Sequence, residues 1–318
     1  MKLGVFTAIL DHQPLETALD YLQGLGVQAV ELGCGGTAGH SHANPEILLN
    51  DACALREFQR TIDRHHMEIS ALSCHGNPVH PNPETARAYD KTIRDTILLA
   101  QRLGLRINTF SGCPGSDPDA HYPNWVTCPW PEDFQEVLDY QWNQVLIPYW
   151  RETAAFAAEH GVTQIALEMH PGFCVYHTES LLRLRRAVGE QIGANLDPSH
   201  LIWQGMDPIA VIRALKGAIF HFHAKDTKID PYNTAVNGVL DTKPYREQET
   251  RSWNFRSVGY GNGLLYWKDM ISNLRLAGYD HVISVEHEDG LMSRSEGLAK
   301  ACGFLKDIII QEKVGMTQ

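Results

Sequence analysis

The stretch IALEMHP, residues 165–171, is a short apolar run that ends in charged and polar side chains. Three later stretches have the same form: IGANLDPSH at 192–200, IFHFHAKD at 219–226 and VISVEHED at 282–289. Short apolar runs rich in β-branched and aromatic residues are typical of buried strands, and helix-like segments separate the four. Strands that alternate with helices in this way are parallel and are joined by crossover helices.

The same alternation extends back to the N-terminus. Four earlier strand-like runs are LGVFTAI (3–9), AVELG (29–33), EISALSCHG (68–76) and RINTFSG (106–112). Helix-like runs lie near 14–25, 51–66, 83–103, 136–160, 178–188, 207–216, 264–277 and 294–312. Eight strands and eight helices predict an α/β fold, a closed (β/α)₈ TIM barrel, with residues 1–318 as a single domain.

A doubly wound open sheet is the competing fold, and it would require a glycine-rich phosphate loop after an early strand. ELGCGGTAGH (31–40) contains glycines, but it lacks the dinucleotide-binding spacing, so we interpret it as a turn.

Composition narrows the partners. The chain has 318 residues, 43% of them hydrophobic, and a net charge of −11. This acidity argues against nucleic acid and favours a small-molecule partner such as a sugar or glycoside. The seven cysteines form no CxxC motif, and no apolar run is long enough for a signal peptide or membrane span, so we expect a cytoplasmic protein that does not bind membranes. A homo-oligomer is compatible with the sequence.

Each of the four stretches delivers one candidate metal ligand at its strand end: Glu168, Asp197, His223 and Glu286. Taken singly, Asp197 would be explained as a helix cap and His223 as a core histidine. Neighbouring strands lie only about 4.8 Å apart, so four consecutive strand ends can converge on one ion. Three carboxylates at that distance would repel one another without a cation. We therefore expect one divalent metal ion, with Mn²⁺ the first choice and Mg²⁺, Co²⁺ or Zn²⁺ the alternatives.

Four polar residues lie close to these ligands in the sequence. His170 is either a general base or a partner that orients a carboxylate. Lys225 either holds a substrate oxygen or acts as an acid, or it forms a salt bridge, for example to Asp226. His221 and His287 are interpreted as packing between strands and helices.

Two long connections, 112–135 and 227–262, follow the carboxyl ends of strands, where barrel active sites are built. Their aromatic residues either wall a sugar pocket or simply pack the loops; they are Tyr122, Trp125, Trp130 and Trp253.

The motifs LEMHP, NLDPSH, HFHAKD and VEHED resemble those of the xylose isomerase-like barrel superfamily of sugar isomerases and epimerases, which includes endonuclease IV. The resemblance covers nearly the whole chain. It implies metal ligands at the four positions named above, with Glu168 and Glu286 flanking the reacting carbon. It also implies substrate contacts from His200, which follows Asp197 by three residues, and from Arg256 in RSVGYG (256–261).

Departures from the superfamily pattern argue against a three-zinc nuclease site. Ser111 stands where endonuclease IV has a histidine, and SWNFRSVG (252–259) lacks its Asp-x-His pair. His75 is retained at the end of the third strand, and we expect it to contact substrate beside a single metal ion.

The resemblance implies proton abstraction next to a carbonyl and an enediolate intermediate, with Glu168 and Glu286 as the catalytic carboxylates. His170 is the further candidate for a catalytic residue. The expected function is a metal-dependent isomerase or epimerase of a sugar or sugar phosphate. The alternatives are a lyase on a 3-oxo-sugar, similar to C-glycoside deglycosidases and acting with a small partner subunit, or a cyclitol dehydratase. A non-catalytic sugar-binding barrel and an abasic-site nuclease are less favoured.

EHEDGLMSRS (286–295) is acidic, and this favours an unphosphorylated substrate over one that carries phosphate, for which GYGNG (259–263) would be the anion site.

Overall fold

A computed structural model describes residues 1–312, so the last six residues of the predicted domain 1–318 lie outside the described residues. Eight parallel strands close into a barrel, as predicted from the alternation. In chain order the barrel strands are Lys2–Phe6 (β1), Ala29–Gly33 (β2), Glu68–Ser73 (β3), Ile107–Phe110 (β4), Ile165–Glu168 (β5), Ile192–Leu196 (β6), Ile219–Ala224 (β7) and Val282–Val285 (β10). The barrel closes where β1 pairs with β10, with Gly4 opposite Ser284.

Helices follow the strands along the chain. They are Leu15–Gly24 (α1), Pro45–Asn50 (α2), Ala52–Arg64 (α3), Pro83–Leu103 (α4), Asp133–Asp139 (α5), Ile147–Glu159 (α6), Thr178–Val188 (α7), Pro198–Trp203 (α8), Pro208–Ala214 (α9), Pro231–Asn237 (α10), Leu264–Leu276 (α11) and Arg294–Lys306 (α12). Of these, α2, α8 and α10 lie in connections where no helix was predicted. No described helix is long and apolar enough to cross a membrane.

The caps explain why the helices begin and end where they do. The Asn82 side chain accepts hydrogen bonds from the amides of Glu84 and Thr85 at the start of α4, with Pro83 in the first turn. Gly104, in the left-handed conformation at φ 68°, ends the helix. Both signals are visible in the sequence, and α4 has the predicted bounds.

The helix predicted near 136–160 is interrupted. Between α5 and α6, the segment Tyr140–Leu146 has the wider hydrogen-bonding of a π-helix. Pro148, in the first turn of α6, has no amide hydrogen to donate to the preceding turn. The missing donor explains why the regular pattern changes just before it.

The long connection after β7 contains a hairpin that the sequence analysis did not predict. Asp226–Ile229 (β8) pairs antiparallel with Trp253–Arg256 (β9), and Asp226 lies opposite Arg256. Trp253 and Phe255 of the hairpin form a second small core with Trp203, whose ring stacks on Trp253 at 4.5 Å. The hairpin is therefore fixed to α8, at the carboxyl end of the barrel.

Candidate metal centre and active site

The carboxyl ends of β5, β6, β7 and β10 bring the four candidate ligands together. One ligand atom each from Glu168, Asp197, His223 and Glu286 lies within 4.8 Å of the other three. Asp197 and His223 are fully buried, and 17% of the Glu286 side chain is exposed. The geometry predicted from four separate motifs is thus present in the fold.

The two carboxylate oxygens of Asp197 have different surroundings: Oδ1 caps a helix and Oδ2 faces the ligand cluster. Its Oδ1 accepts the Ser199 amide at 2.8 Å and so caps α8, which was the alternative explanation for this residue. Its Oδ2 is buried and makes no hydrogen bond, although Lys225 Nζ lies 3.0 Å away. Burial, together with Glu286 and Glu168, raises the pKa of Asp197 to about 7 despite Lys225. A buried oxygen without a hydrogen bond, among like charges, fits a divalent cation.

Glu168 is held by two histidines. His200 Nε2 lies 3.2 Å from its Oε1, and His75 Nε2 lies 3.0 Å from its Oε2. Burial would raise the pKa of Glu168, but these histidines and His223 hold it well below its usual value. His75 and His200, predicted to contact substrate, therefore both contact a candidate ligand.

Gly36 allows His75 to take this position. At φ 66° the glycine lies so close to the His75 backbone that an added Cβ would come within 2.0 Å of the His75 carbonyl oxygen. The GCGG segment is thus the turn that we predicted, and it packs directly beneath a site residue.

Lys225 is the buried cation of the cluster. Its Nζ lies 2.9 Å from Glu286 Oε2, 3.0 Å from Asp197 Oδ2 and 3.4 Å from Glu288 Oε1. Burial would lower the pKa of Lys225, but these carboxylates raise it well above its usual value. The salt bridge considered in the sequence analysis is thus made with the site rather than with Asp226.

His170 lies at the edge of the same cluster, with its ring centroid 4.0 Å from that of His200. Its Nδ1 lies 2.6 Å from the Pro171 carbonyl oxygen. Burial, with the charge of Lys225, lowers the pKa of His170, so the ring is neutral near pH 7. A neutral imidazole is the form that can accept a proton.

Arg256 does not join this cluster. Its guanidinium donates to Gln248 Oε1 at 2.7 Å and lies 3.5 Å from the Asp289 carboxylate. A contact between Arg256 and substrate remains an expectation from the resemblance.

A cavity of about 480 Å³ is lined by two of the four candidate ligands, Glu168 and Glu286. Glu168, Glu286, His170 and Lys225 form its polar side. Its aromatic side consists of Phe6, Phe110 and Phe173, none of which the sequence analysis selected. Phe110 and Phe173 stack at 4.3 Å.

The aromatic residues of the two long connections take other places. Trp125 borders a separate cavity of about 300 Å³, and Trp253 is buried in the hairpin core. Tyr122 and Trp130 are 81% and 74% exposed. None of these four residues lines the cavity at Glu168 and Glu286.

The GYGNG segment, considered as an anion site, is already bound to a carboxylate of the chain. Asp226 Oδ2 accepts the backbone amides of Gly259, Gly261 and Asn262 at 3.0, 3.1 and 2.9 Å. Trp267 Nε1 donates to the same oxygen at 3.1 Å. These donors are therefore occupied within the fold and are not free to bind a phosphate.

Near the ligand cluster, the predicted position of His221 was wrong and Glu31 was not predicted. His221 was expected to face the helices; instead it is fully buried, and its Nδ1 lies 3.0 Å from Asn195 Oδ1. Residues 221, 223 and 225 share one side of a strand, so alternation itself places His221 inside the barrel. Glu31 of β2, also fully buried, lies 2.9 Å from His223 Nε2. His287 packs against Gly297 of α12, in agreement with its interpretation.

Residues 19–308 match the family model described as the xylose isomerase-like TIM barrel. Bacillus subtilis (strain 168) YfiH, described as an uncharacterized protein, is 40% identical over 98% of this chain and 100% of its own length.

Two solved structures have the same fold at low identity. The probable 3-DHS dehydratase AsbF of Bacillus anthracis superposes with a TM-score of 0.65 and 18% identity, covering 96% of this chain and 99% of its own. The 3-keto-D-glucoside 4-epimerase YcjR of E. coli superposes with a TM-score of 0.65 and 12% identity, covering 96% and 99%. The chain belongs to the xylose isomerase-like TIM barrel family.

Proposed function

We propose that the protein is a divalent-metal-dependent isomerase or epimerase of an unphosphorylated sugar. The observation that carries this proposal is the convergence of Glu168, Asp197, His223 and Glu286, of which Glu168 and Glu286 line one cavity. The three carboxylates and one imidazole suit Mn²⁺ first, and Mg²⁺, Co²⁺ or Zn²⁺ as alternatives. A divalent ion bound there would stabilise negative charge on the substrate oxygens as a neighbouring carbon loses its proton.

Glu286 is the residue that we assign as the first base. Its side chain is more exposed to the cavity than that of Glu168, at 17% against 3%. Lys225 and His223 outweigh burial and lower the pKa of Glu286 to about 2, so the carboxylate is ionised and can accept a proton. The C–H bond breaks, its proton passes to a carboxylate oxygen, and the electron pair is shared with the adjacent carbonyl.

The return of the proton decides the product. Glu286 can return it to the neighbouring carbon while the hydroxyl hydrogen passes from one enediolate oxygen to the other, which gives isomerisation. For epimerisation, the Glu168 carboxylate would take a proton from His75 or His200 and pass it to the other face of the same carbon, while Glu286 keeps the proton it removed. His75 and His200, both within 3.2 Å of Glu168, would exchange protons with it. In this proposal His170 and Arg256 contact the substrate.

The charges of the cavity support an unphosphorylated substrate. Lys225 is surrounded by carboxylates, and Arg294 at the rim donates to Asp11 at 2.7 Å. Glu288 adds a further negative charge to the lining. A phosphate dianion would meet net repulsion here.

Lys225 also favours a second candidate, a lyase on a 3-oxo-sugar or a cyclitol dehydratase. The first step would be the same, with Glu286 as base. The Lys225 ammonium, 2.9 Å from Glu286, would then protonate the departing hydroxyl oxygen or the aglycone atom that leaves the adjacent carbon. The dehydratase among the structural neighbours is compatible with this chemistry.

Proton exchange with solvent tests the step that both candidates share. The Mn²⁺-loaded protein is incubated in D₂O with a panel of ketoses, 3-oxo-glycosides and keto-cyclitols, and exchange at the carbon next to the carbonyl is followed by NMR. We expect exchange with at least one ketose, and Glu286→Gln should slow it by about 10²–10⁴-fold.

Glu288→Gln is the matched control, because this carboxylate lines the same cavity but is 46% exposed and lies 3.4 Å from Lys225. It should slow exchange far less. Water or aglycone release instead of a rearranged sugar would select the second candidate. Undiminished exchange by Glu286→Gln would contradict both.

A further inference from the structure

Glu31 is a fully buried carboxylate below the ligand cluster, and the site described so far does not use it. It accepts hydrogen bonds from Ser73 Oγ at 2.5 Å, Asn108 Nδ2 at 3.0 Å and Ser284 Oγ at 2.8 Å. His223 Nε2 lies 2.9 Å from both of its oxygens. Residues of β3, β4, β7 and β10 therefore all meet one side chain of β2.

Glu31, His221 and His223 are close enough to be considered a second metal site. Their hydrogen bonds argue against it. Oε1 of Glu31 accepts hydroxyl, amide and imidazole donors, Oε2 accepts a hydroxyl and the imidazole, and His221 Nε2 lies 3.1 Å from Ser70 Oγ. Because these polar atoms already hydrogen-bond to one another, they are not free to bind a metal ion. We therefore interpret Glu31 and His221 as support for the ligand cluster rather than as a second metal site.

Glu31 and the ligand cluster contact opposite nitrogens of the same imidazole. Nε2 of His223 faces Glu31, whereas Nδ1 lies 3.0 Å from Glu286 and 3.5 Å from Glu168. A carboxylate can only accept, so it requires a hydrogen on Nε2. Glu286 favours a hydrogen on Nδ1 in the same way, but an ion bound by Glu286 would replace that hydrogen, whereas the one shared with Glu31 would stay on Nε2.

We infer that Glu31 is a positioning residue that holds His223 in the Nε2–H tautomer and aims its Nδ1 at the metal ion. This inference rests on the metal site of the proposed function and adds a residue to it. A carboxylate on the far nitrogen also makes an imidazole a stronger ligand, and loss of such a partner typically weakens metal binding by about 10–100-fold.

The tautomer can be read from the wild-type protein. Histidine labelled with ¹⁵N is introduced, the protein is loaded with diamagnetic Zn²⁺, and ring nitrogens are correlated with ring protons by NMR. His223→Gln identifies the signal. We expect hydrogen on Nε2 and a metal-shifted Nδ1; hydrogen on Nδ1 would overturn the inference without any need for a Glu31 variant to fold.

Metal affinity supplies the second measurement. Titration with Mn²⁺ and Zn²⁺ should show about 10–100-fold weaker binding to Glu31→Gln, with its fold checked by circular dichroism. The control is Asp20→Asn, which removes the charge from another carboxylate–histidine pair, Asp20–His65 at 3.0 Å. It should bind metal as the wild type does.

The outcomes separate this inference from the proposed function. Unchanged affinity and an unchanged His223 signal in Glu31→Gln would overturn the positioning role, whatever the enzyme does to sugars. Tight metal binding that depends on Glu31, with no proton exchange in any sugar, would contradict the proposed function and leave the positioning role standing. A wild type that binds neither ion overturns the inference.

Discussion

At the scale of single residues, the site contains more carboxylates than positively charged side chains. Four acidic side chains, Glu168, Asp197, Glu286 and Glu288, surround the ammonium of Lys225. Buried like charges are tolerated only when opposite charges or a metal ion lie between them. Lys225 and the proposed ion would therefore both compensate the buried negative charges. Removing either one should destabilise the protein more when the other is absent.

Lys225→Met tests this shared role. The substitution keeps the length of the side chain but leaves Asp197 and Glu286 without their buried partner, which should lower the free energy of unfolding by about 3–5 kcal/mol in EDTA. Saturating Mn²⁺ should restore part of this loss. Urea unfolding of both proteins with and without Mn²⁺ gives the four values; equal losses in EDTA and Mn²⁺ would show that lysine and ion act independently.

His281, far from the ligands, supplies a pH prediction. Burial and the nearby Arg106 lower its pKa to about 4, against 6.5 ordinarily. The unfolded chain therefore binds this proton more readily, so stability is lost as the pH falls from about 6.5 towards 4. His281→Gln cannot titrate, and its stability should fall less over this range, by up to about 3 kcal/mol. Urea unfolding at pH 7 and pH 4.5 measures the difference, and identical slopes for both proteins would contradict it.

Single residues were predictable where a sequence motif marked them. Glu168, Asp197, His223 and Glu286 each follow an apolar run, and the barrel brings such strand ends together. Glu31 lies within the buried run AVELG and has no marked neighbour. A charged residue inside an otherwise apolar strand was the available signal, but its partners come from four other strands, and no spacing in the sequence reveals them.

At the scale of elements, the hairpin β8–β9 and the GYGNG segment form one unit around Asp226. The carboxylate is fully buried and accepts from three backbone amides and an indole. Such an arrangement fixes the loop after the hairpin to the start of α11. A loop fixed in this way can hold one edge of the carboxyl face rigid while substrate binds.

Asp226→Ala should therefore destabilise strongly. Several buried donors would lose their acceptor at once, at about 1–3 kcal/mol each before relaxation, so we expect a total loss of at least about 3 kcal/mol. Thermal unfolding measures it. Asp230→Ala is the control in the same connection: Asp230 caps α10 through the amides of Tyr232 and Asn233, and its loss should cost only about 1 kcal/mol. Equal losses would refute the central role of Asp226.

Elements were predictable where their period was regular. The eight barrel strands and most outer helices follow from alternation and caps, as α4 illustrates. The hairpin was missed because Asp226–Ile229 continues the β7 run after only Lys225, and its partner lies beyond a long polar stretch. A non-local antiparallel pair of four residues leaves little trace in local periodicity.

At the scale of the whole molecule, the proposed ion would join β5, β6, β7 and β10, the half of the barrel formed by the C-terminal part of the chain. β10 also pairs with β1 and closes the barrel. An ion at these four strand ends would thus stabilise β10, the last barrel strand in the chain, and with it the closure of the barrel. Metal binding should be measurable as global stability.

We expect Mn²⁺ at one hundred times its Kd to add about 2.7 kcal/mol to the free energy of unfolding, and EDTA to remove it. The physical reason is that only the folded chain assembles the four ligands. Differential scanning calorimetry over a Mn²⁺ series checks the expected dependence of Tm on concentration, and hydrogen exchange should show the strongest protection at the ends of β7 and β10.

Asp197→Asn is the matched variant for this measurement. It keeps the Oδ1 that caps α8 but weakens the Oδ2 that faces the cluster. Its Tm without metal should stay close to that of the wild type, or rise, because the substitution removes one of the crowded negative charges. Its Mn²⁺-dependent shift should be small. A full shift in Asp197→Asn would place the ion elsewhere and refute the four-ligand site.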